Sequence, residues 1–244
     1  MLVHSGLWGA LRVAGDSAAA KVDTVLEALR AAVSEGTLIL PTFTYSFCRG
    51  ERFDVAETPS TVGAVTERFR RLPGVRRTTD PLFSTAVLGG LPAEWEARLY
   101  SVHDTDAFGE QSVFSYLRSV NAKMVFFGVG FEYATFVHHV EQRLGVPYRY
   151  PKDFHGVVRD GGAEVPVTAR YFVRPLDGDI EVHLDPLAEA LLAEGKAASA
   201  TLALGPALLV TDAWSIEETI RRKLEENPSF LLRRGHPASS ASPT

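Results

Sequence analysis

Apolar and polar residues follow one another along the chain in blocks that predict strands and helices in turn. Residues 2–4 form an apolar run typical of a strand, and residues 17–33 place apolar side chains at helical spacing behind Ser17, a candidate N-cap. Residues 37–40 form a second short apolar run, which Pro41 ends. Because strand, helix and strand in this order are typical of a crossover unit, the sheet is predicted to be at least partly parallel.

The rest of the chain predicts a mixed sheet flanked by helices. The turn sequence R-D-G-G at residues 159–162 predicts a hairpin that joins residues 156–158 to residues 165–173 and adds antiparallel strands to the sheet. The predicted fold class is α/β, with a single domain over residues 1–233 and a disordered tail of low apolar content over residues 234–244. Further predicted strands lie at 84–88, 123–127 and 200–204, further helices at 61–71, 112–118, 184–193 and 215–226, and a long loop at 42–59.

Composition narrows the classes of function. The 244 residues include 25 basic and 30 acidic side chains, a formal charge of -5, so we expect no basic surface for nucleic acid. The longest apolar stretches are too short to span a membrane, and the single cysteine, Cys48, has no partner for an internal disulfide. We therefore expect a cytoplasmic protein that acts on small molecules. Cys48 is a nucleophile or, as is more common, a packed thiol.

The segment from Phe127 to Glu141 contains the candidate chemistry. It is predicted as a strand, a glycine turn and a helix on which Thr135, His138 and Glu141, spaced three apart, share one face. An imidazole oriented by a carboxylate acts as a general base in several enzyme classes. An H-x-x-E pair is also a common structural pair on helices, so the spacing alone leaves both interpretations open. We expect no metal, because the sequence has no H-E-x-x-H or C-x-x-C spacing.

Several motifs, in order along nearly the whole chain, resemble those of the aminoglycoside 3-N-acetyltransferase family. His4-Ser5 resembles the family's opening H-S-S, and residues 36–43 resemble its G-T-L-x-x-P-T-F strand and turn. Residues 53–63 and 77–84 are similar to its F-D-x-x-x-T-P-S-x-x-G and R-S-x-H-P-x-x-S segments. The block at 128–141, which contains T-x-x-H-x-x-E, looks like the family's most diagnostic sequence.

Three departures from the family pattern bear on acceptor specificity. Gly6 stands where the second serine of H-S-S falls, and Asp80 stands where a histidine precedes the proline. The family also carries a few dozen residues before H-S-S, whereas here three residues precede His4.

The resemblance implies acyl transfer from coenzyme A to an amine by direct attack. It implies His138 as the general base, Glu141 or another carboxylate as its orienting partner, and Thr135 beside the thioester oxygen as a third catalytic residue. It implies an acyl-coenzyme A site that includes His4, Ser5, Arg77, Ser84 and Thr135.

We therefore expect acetyl-coenzyme A or another acyl-coenzyme A as co-substrate, with an amine of an amino sugar or related small metabolite as acceptor. The short start and Asp80 favour a biosynthetic N-acyltransferase, and an aminoglycoside 3-N-acetyltransferase that confers antibiotic resistance is the alternative. A non-catalytic protein that binds coenzyme A or an acyl-carrier protein is an alternative of another class. An acyl-carrier protein as donor and a homodimer are left open.

Overall fold

The first strand and helix lie where the sequence pattern predicts them. In the computed structural model, which describes residues 1–6, 13–33, 35–175, 180–201 and 208–234, strand β1 is Leu2–Ser5, helix α1 is Ala18–Ala32 and strand β2 is Leu38–Pro41. The Ser17 hydroxyl caps α1 by accepting a hydrogen bond from the Ala20 N–H at 3.1 Å. Strands β1 and β2 are parallel, which confirms the predicted crossover unit.

The remaining elements include most of the predicted ones and several that the pattern did not predict. Residues 235–244 of the predicted tail and residues 202–204 of a predicted strand lie outside the described residues. The further helices are α2 Ala64–Arg70, α3 Ala93–Leu99, α4 Val113–Ser119, α5 Phe136–Leu144, α6 Asp185–Ala193 and α7 Ala213–Glu226. The further strands are β3 Phe53–Asp54, β4 Arg76–Arg77, β5 Thr85–Leu88, β6 Thr105–Asp106, β7 Lys123–Phe127, β8 Tyr150–Asp160, β9 Ala163–Val173, β10 Ile180–Val182, β11 Ala198–Ala200, β12 Leu208–Asp212 and β13 Leu232–Arg234.

A mixed sheet of seven strands forms the centre of the fold, as the pattern predicts. Its order is β11-β12-β7-β1-β2-β5-β4. The central strands β7, β1 and β2 are parallel, whereas β12, β5, β4 and β11 pair in the antiparallel sense. The carboxyl ends of β1, β2 and β7 therefore lie at one edge of the sheet, where ligands bind in many α/β proteins.

The predicted hairpin is longer than expected and belongs to a different sheet. Strands β8 and β9 pair over eleven residues each, and Gly161 and Gly162, at φ 55° and 91°, supply the left-handed turn between them. With β3 and β6 they form a separate four-stranded sheet, so the expectation that the hairpin extends the main sheet is wrong. The physical reason is that β8 and β9 find parallel edge partners in β3 and β6, two strands too short to show a period in the sequence.

The two faces of the seven-stranded sheet carry separate apolar cores. Because neighbouring strand residues point to opposite faces, Leu2 lies in one core and Val3 in the other. Helices α1 and α2 cover the face of Val3 through Val25 and Phe69. Helix α5 lies in the core of the other face, against α4 and α7. Within the described ranges, no helix is long and apolar enough to cross a membrane.

Candidate active site

Helix α5 begins just after the turn that follows the central strand β7. The turn contains Gly128 at φ 67° and a short 3-10 helix, Phe131–Tyr133. Val137 and Val140 are fully buried and fix α5 in the core. Thr135 directly precedes α5, and its hydroxyl donates to the Tyr133 carbonyl at 3.3 Å instead of capping the helix. The first turn of α5, which carries His138, is thereby held next to the carboxyl end of β7.

His138 and Glu141 form the predicted pair on this helix. His138 Nδ1 lies 2.7 Å from Glu141 Oε2. The imidazole is 21% exposed and the Glu141 side chain is fully buried, so the ring alone reaches the surface. Because a carboxylate only accepts hydrogen bonds, we assign the proton to Nδ1, which leaves Nε2 as an unprotonated base. The arrangement matches that of an imidazole oriented for proton transfer.

The Glu141 carboxylate also contacts Tyr148 and Arg149, which follow α5. Sequence analysis did not single out Arg149. Arg149 Nε lies 2.8 Å from Glu141 Oε2, and the Tyr148 hydroxyl donates to Glu141 Oε1 at 2.8 Å. Arg149 also donates to the Phe172 carbonyl at 3.1 Å, which ties the pair to β9. Arg149 Nη2 lies 3.0 Å from His138 Nδ1. Both of these nitrogens are donors in the assigned tautomer, so Arg149 acts on the ring through its positive charge and not through a hydrogen bond.

Burial and charge set the protonation states of the pair. Burial lowers the pKa of His138, the positive charge of Arg149 lowers it further, and the hydrogen bond and charge of Glu141 only partly oppose these effects. For Glu141, burial raises the pKa, but the hydrogen bond from His138 and the charge of Arg149 outweigh it and hold the pKa below its usual range. The site therefore holds a neutral imidazole beside an ionised carboxylate, the state that a general base requires.

His138 opens into a cleft of about 940 Å³, which we call the imidazole cleft. One wall comes from the hairpin, where Tyr150, Phe154 and Tyr171 present aromatic rings. Cys48 also lines the cleft, and burial raises the pKa of its thiol, which disfavours the thiolate that a nucleophile needs. The cleft is also lined by charged residues, which are Glu132, Arg149, Lys152 and Arg174.

His4 and Ser5 end the neighbouring strand β1, and Ser5 is in register with Phe127 of β7. His4 is buried and stacks on Phe126 with ring centroids 5.2 Å apart; burial lowers its pKa to about 4. The Ser5 hydroxyl is buried, and within the described structure it has no hydrogen-bond partner. A buried hydroxyl without a partner fits a polar group of a ligand, since such groups are otherwise satisfied.

The departure at Gly6 has a steric cause. The Gly6 N–H donates to the Phe127 carbonyl at 2.9 Å, which brings the backbone close to the turn after β7. A Cβ at Gly6 would lie 2.5 Å from the Gly128 carbonyl oxygen and 2.7 Å from Val129 Cγ1. This chain therefore has no room for a serine at this position.

Arg77 and Ser84 lie together, but the structure does not bring them into the lining of the imidazole cleft. Both side chains are buried, and Arg77 Nε donates to Ser84 Oγ at 3.0 Å. The rest of the guanidinium donates to the carbonyls of Thr42, Val55 and Thr58, and Ser84 Oγ donates to the Thr42 carbonyl at 2.9 Å. They join the end of β2 to the loop after β3. The assignment of Arg77 and Ser84 to acyl-coenzyme A binding stays a prediction.

A second cleft, of about 680 Å³, lies on the opposite face of the hairpin, and we call it the acidic cleft. Residues of β8 and β9 alternate between the two clefts: Lys152 and Tyr171 face the imidazole cleft, whereas Asp153 and Arg170 face the acidic one. Asp80 lines the acidic cleft and accepts hydrogen bonds from the N–H groups of residues 82 and 83. Asp80, which stands where the family has a histidine, therefore stabilises a turn and lies outside the described lining around His138.

The neighbouring histidine, His139, lies on a different side of α5 from His138. It is fully buried and its Nδ1 lies 2.7 Å from the Phe108 carbonyl. Across the part of the chain that the structure describes, no three His, Cys, Asp or Glu side chains are grouped as metal ligands.

Comparison with known proteins identifies the family. The model of the aminoglycoside 3-N-acetyltransferase family matches residues 2–217, which is most of the chain. The chain belongs to the aminoglycoside 3-N-acetyltransferase family. A curated relative, aminoglycoside N(3)-acetyltransferase IV of Salmonella sp., is 31% identical over 131 residues, which make up 52% of this chain and 48% of the relative. The matched part thus spans about half of that relative's length.

Solved structures of the family share the fold of the chain. The apoenzyme of aminoglycoside acetyltransferase AAC(3)-IVa has a TM-score of 0.69 at 24% identity, covering 98% of this chain and 85% of that one. AAC-IIIb, solved as a binary complex with CoASH, has a TM-score of 0.74 at 21% identity, covering 97% and 91%. A complex of AAC(3)-IVa with apramycin has a TM-score of 0.70 at 22% identity, covering 99% and 88%. The predicted α/β class with a mixed sheet is confirmed.

Proposed function

We propose that this chain transfers an acetyl group from acetyl-coenzyme A to an amine of a small molecule by direct attack, with His138 as general base. The observation that carries the proposal is the imidazole at the wall of the cleft, with Nδ1 2.7 Å from a buried carboxylate; this contact is the reason for assigning the proton to Nδ1 and leaving Nε2 as the base. Family membership supports the same chemistry, since the family is described by that reaction.

The chain's own side chains supply the proton transfer. An amine attacks only in its unprotonated form, and His138 Nε2 accepts a proton from its nitrogen as the new C–N bond forms. Glu141 then stabilises the imidazolium through its 2.7 Å hydrogen bond to Nδ1. The thioester of acetyl-coenzyme A would supply the acetyl group: the C–S bond breaks as the amide forms, and the proton held by His138 passes to the leaving thiolate, which is released as the thiol. We place the thioester oxygen, which gains negative charge, near Thr135 at the first turn of α5, where the Thr135 hydroxyl would exchange its 3.3 Å contact with the Tyr133 carbonyl for the ligand.

His4, Ser5 and Thr135 are proposed as contacts of acetyl-coenzyme A. The unpartnered, buried hydroxyl of Ser5 at the end of β1 supports a polar contact to the ligand. A related protein of the same fold, AAC-IIIb, binds CoASH, and this supports the choice of donor. A cytoplasmic setting, donation from an acyl-carrier protein and a homodimer stay predictions from the sequence.

The comparisons support an aminoglycoside acceptor better than the biosynthetic amino sugar that the sequence favoured. AAC(3)-IVa, a relative by fold, has been solved with apramycin and with a gentamicin. Aminoglycosides are therefore the first acceptors to test. A role in antibiotic resistance would require that the chain acetylates one of them.

The test is acetyl transfer by His138→Gln. We expect the wild-type chain to release the coenzyme A thiol in the presence of an amine from a panel of aminoglycosides and amino sugars. In His138→Gln the rate should fall by about 10² to 10⁴, the usual share of a general base, with the dissociation constant of coenzyme A unchanged. His155→Gln, on the face of the hairpin away from His138, is the control. Equal turnover by the His138 variant would overturn the role of the base, and binding of coenzyme A without turnover of any amine would favour a non-catalytic protein.

A further inference from the structure

The described charges of the imidazole cleft are mainly positive. Its charged lining residues are Glu132, Arg149, Lys152 and Arg174. Arg149 is neutralised by its contact with Glu141, but among the described residues neither Lys152 nor Arg174 pairs with a carboxylate. Among the lining residues that the structure describes, Glu132 supplies the one carboxylate. A polyamine that places several ammonium groups in this cleft would meet like charges next to His138.

The positions of the two cations are set by the hairpin. Lys152 pairs in register with Tyr171, and its ammonium lies 5.1 Å from the centre of the Phe154 ring. Arg174 follows the last residue of β9, and its charge is close enough to lower the pKa of His138. The cleft thus combines a base, two cations and aromatic faces, which are the groups that recognise a ring bearing an anion.

The carboxylates that would attract a polyamine lie in the other cleft and are already engaged. In the acidic cleft, Asp104 accepts from the Thr168 N–H at 2.7 Å, and Asp153 pairs with Arg170 at 2.8 Å. Asp106 accepts from the Gln142 amide at 2.9 Å. The hairpin separates them from the lining around His138. They do not make the imidazole cleft attractive to an ammonium.

We infer that the acceptor is an amine that also carries an anionic group, a phosphate or a carboxylate, on a sugar or aromatic ring. Lys152 and Arg174 hold the anion, the aromatic wall takes the ring, and the amine points to His138 Nε2. The inference rests on the proposed function, because it names the substrate class of the same site. It departs from the acceptors of the solved relatives, which are aminoglycosides.

A matched pair of amines tests the charge preference. Glucosamine 6-phosphate and glucosamine carry the same amine and differ in one phosphate. We expect kcat/KM for the phosphorylated sugar to exceed that for glucosamine and for gentamicin by at least about 10-fold, the effect of one charge-assisted contact. Lys152→Met and Arg174→Met should each remove most of this preference by raising KM for the phosphorylated sugar, whereas Lys152→Arg should retain it. Lys223→Met, which alters a half-buried lysine of α7 paired with Glu226, is the control.

The outcomes separate this inference from the proposed function. If Lys152→Met and Arg174→Met raise KM for acetyl-coenzyme A and not for the amine, the cations bind the donor and the inference is overturned. Equal or better use of gentamicin by the wild type would also overturn it while leaving acetyl transfer intact. If no amine is acetylated, calorimetry in the presence of coenzyme A still decides: tighter binding of glucosamine 6-phosphate than of glucosamine supports the anion site, and equal binding rejects it.

Discussion

His138 and Arg149 contact the same oxygen of Glu141, His138 through Nδ1 at 2.7 Å and Arg149 through Nε at 2.8 Å. The carboxylate therefore orients the imidazole while the guanidinium offsets the negative charge that would otherwise raise the pKa of the ring. The balance between these two contacts decides at which pH the base is free. The buried Glu141 carboxylate, in turn, stays ionised because of its contacts with both His138 and Arg149.

Arg149→Met tests the electrostatic half of this balance. Removal of the cation should raise the pKa of His138, so the acidic limb of kcat/KM should move to higher pH, because the base acts only when unprotonated. Titration of the His138 ring followed by NMR gives the same shift without a substrate. Arg159→Met, which removes an exposed guanidinium paired with Asp54, should leave the limb in place. A limb that stays or moves to lower pH in Arg149→Met would contradict the assignment.

Glu141→Gln tests the orienting half. The pKa of His138 should fall further, because the hydrogen-bonded charge that favours the imidazolium is lost. The buried guanidinium of Arg149 also loses its counter-charge, and breaking a buried pair in this way costs about 3–5 kcal/mol of unfolding free energy. Urea unfolding and turnover measure the two effects. Glu225→Gln, on the exposed side of α7, is the matched control, and a Glu141 variant as stable as that control would rule out the buried pair.

His4 should make folding sensitive to acid. Its pKa in the folded state is about 4 because of burial, against an ordinary value of 6.5, so below pH 6.5 the unfolded chain binds a proton that the folded chain does not. Stability is lost as the pH falls from 6.5 to 4, by about 3 kcal/mol in total. His4→Phe, which keeps a ring over Phe126, should remove this part of the pH dependence. His155→Phe, at an exposed position, should not, and identical pH slopes for wild type and His4→Phe would refute the idea.

Gly6→Ser restores the family's H-S-S motif in a chain that has no room for it. A Cβ 2.5 Å from the Gly128 carbonyl oxygen must push the backbone aside, and crowding of this kind costs about 1–3 kcal/mol. Chemical denaturation should show this decrease in the free energy of unfolding. Gly90→Ser, where a Cβ meets no atom within 4 Å, should change stability by less than about 0.5 kcal/mol. Two variants of equal stability would show that the turn after β7 can move.

The sequence predicts those parts of the fold whose signals are local. Ser17 caps α1, and the apolar run of β7 is a central strand. Both could be predicted because a cap residue marks the start of a helix and a buried strand appears as an apolar run in the sequence. The pairing of His138 with Glu141 follows in the same way from a spacing of three on one helix. The sheet to which the hairpin belongs is not local, since it depends on β3 and β6, two-residue strands that carry no pattern.

The site residues that sequence analysis missed depend on contacts between elements. Arg149 reaches Glu141 only because the chain turns back after Gly145 and places the start of β8 beside α5. Lys152 lines the imidazole cleft only because of the register of β8 with β9. Motif resemblance, in turn, assigns Arg77 and Ser84 to the acyl-coenzyme A site, and this stays a prediction; in the structure their side chains join the end of β2 to the loop after β3.

The shared hairpin makes the charge of both clefts depend on the pairing register of β8 and β9. One residue inserted in the turn between the two strands, with β9 kept in place, would shift this register by one and turn every β8 side chain to the other side. Asp153 would then face the imidazole and Lys152 would leave it. A single codon gained or lost could in this way exchange an anion-binding pocket for a cation-binding one without any new type of side chain.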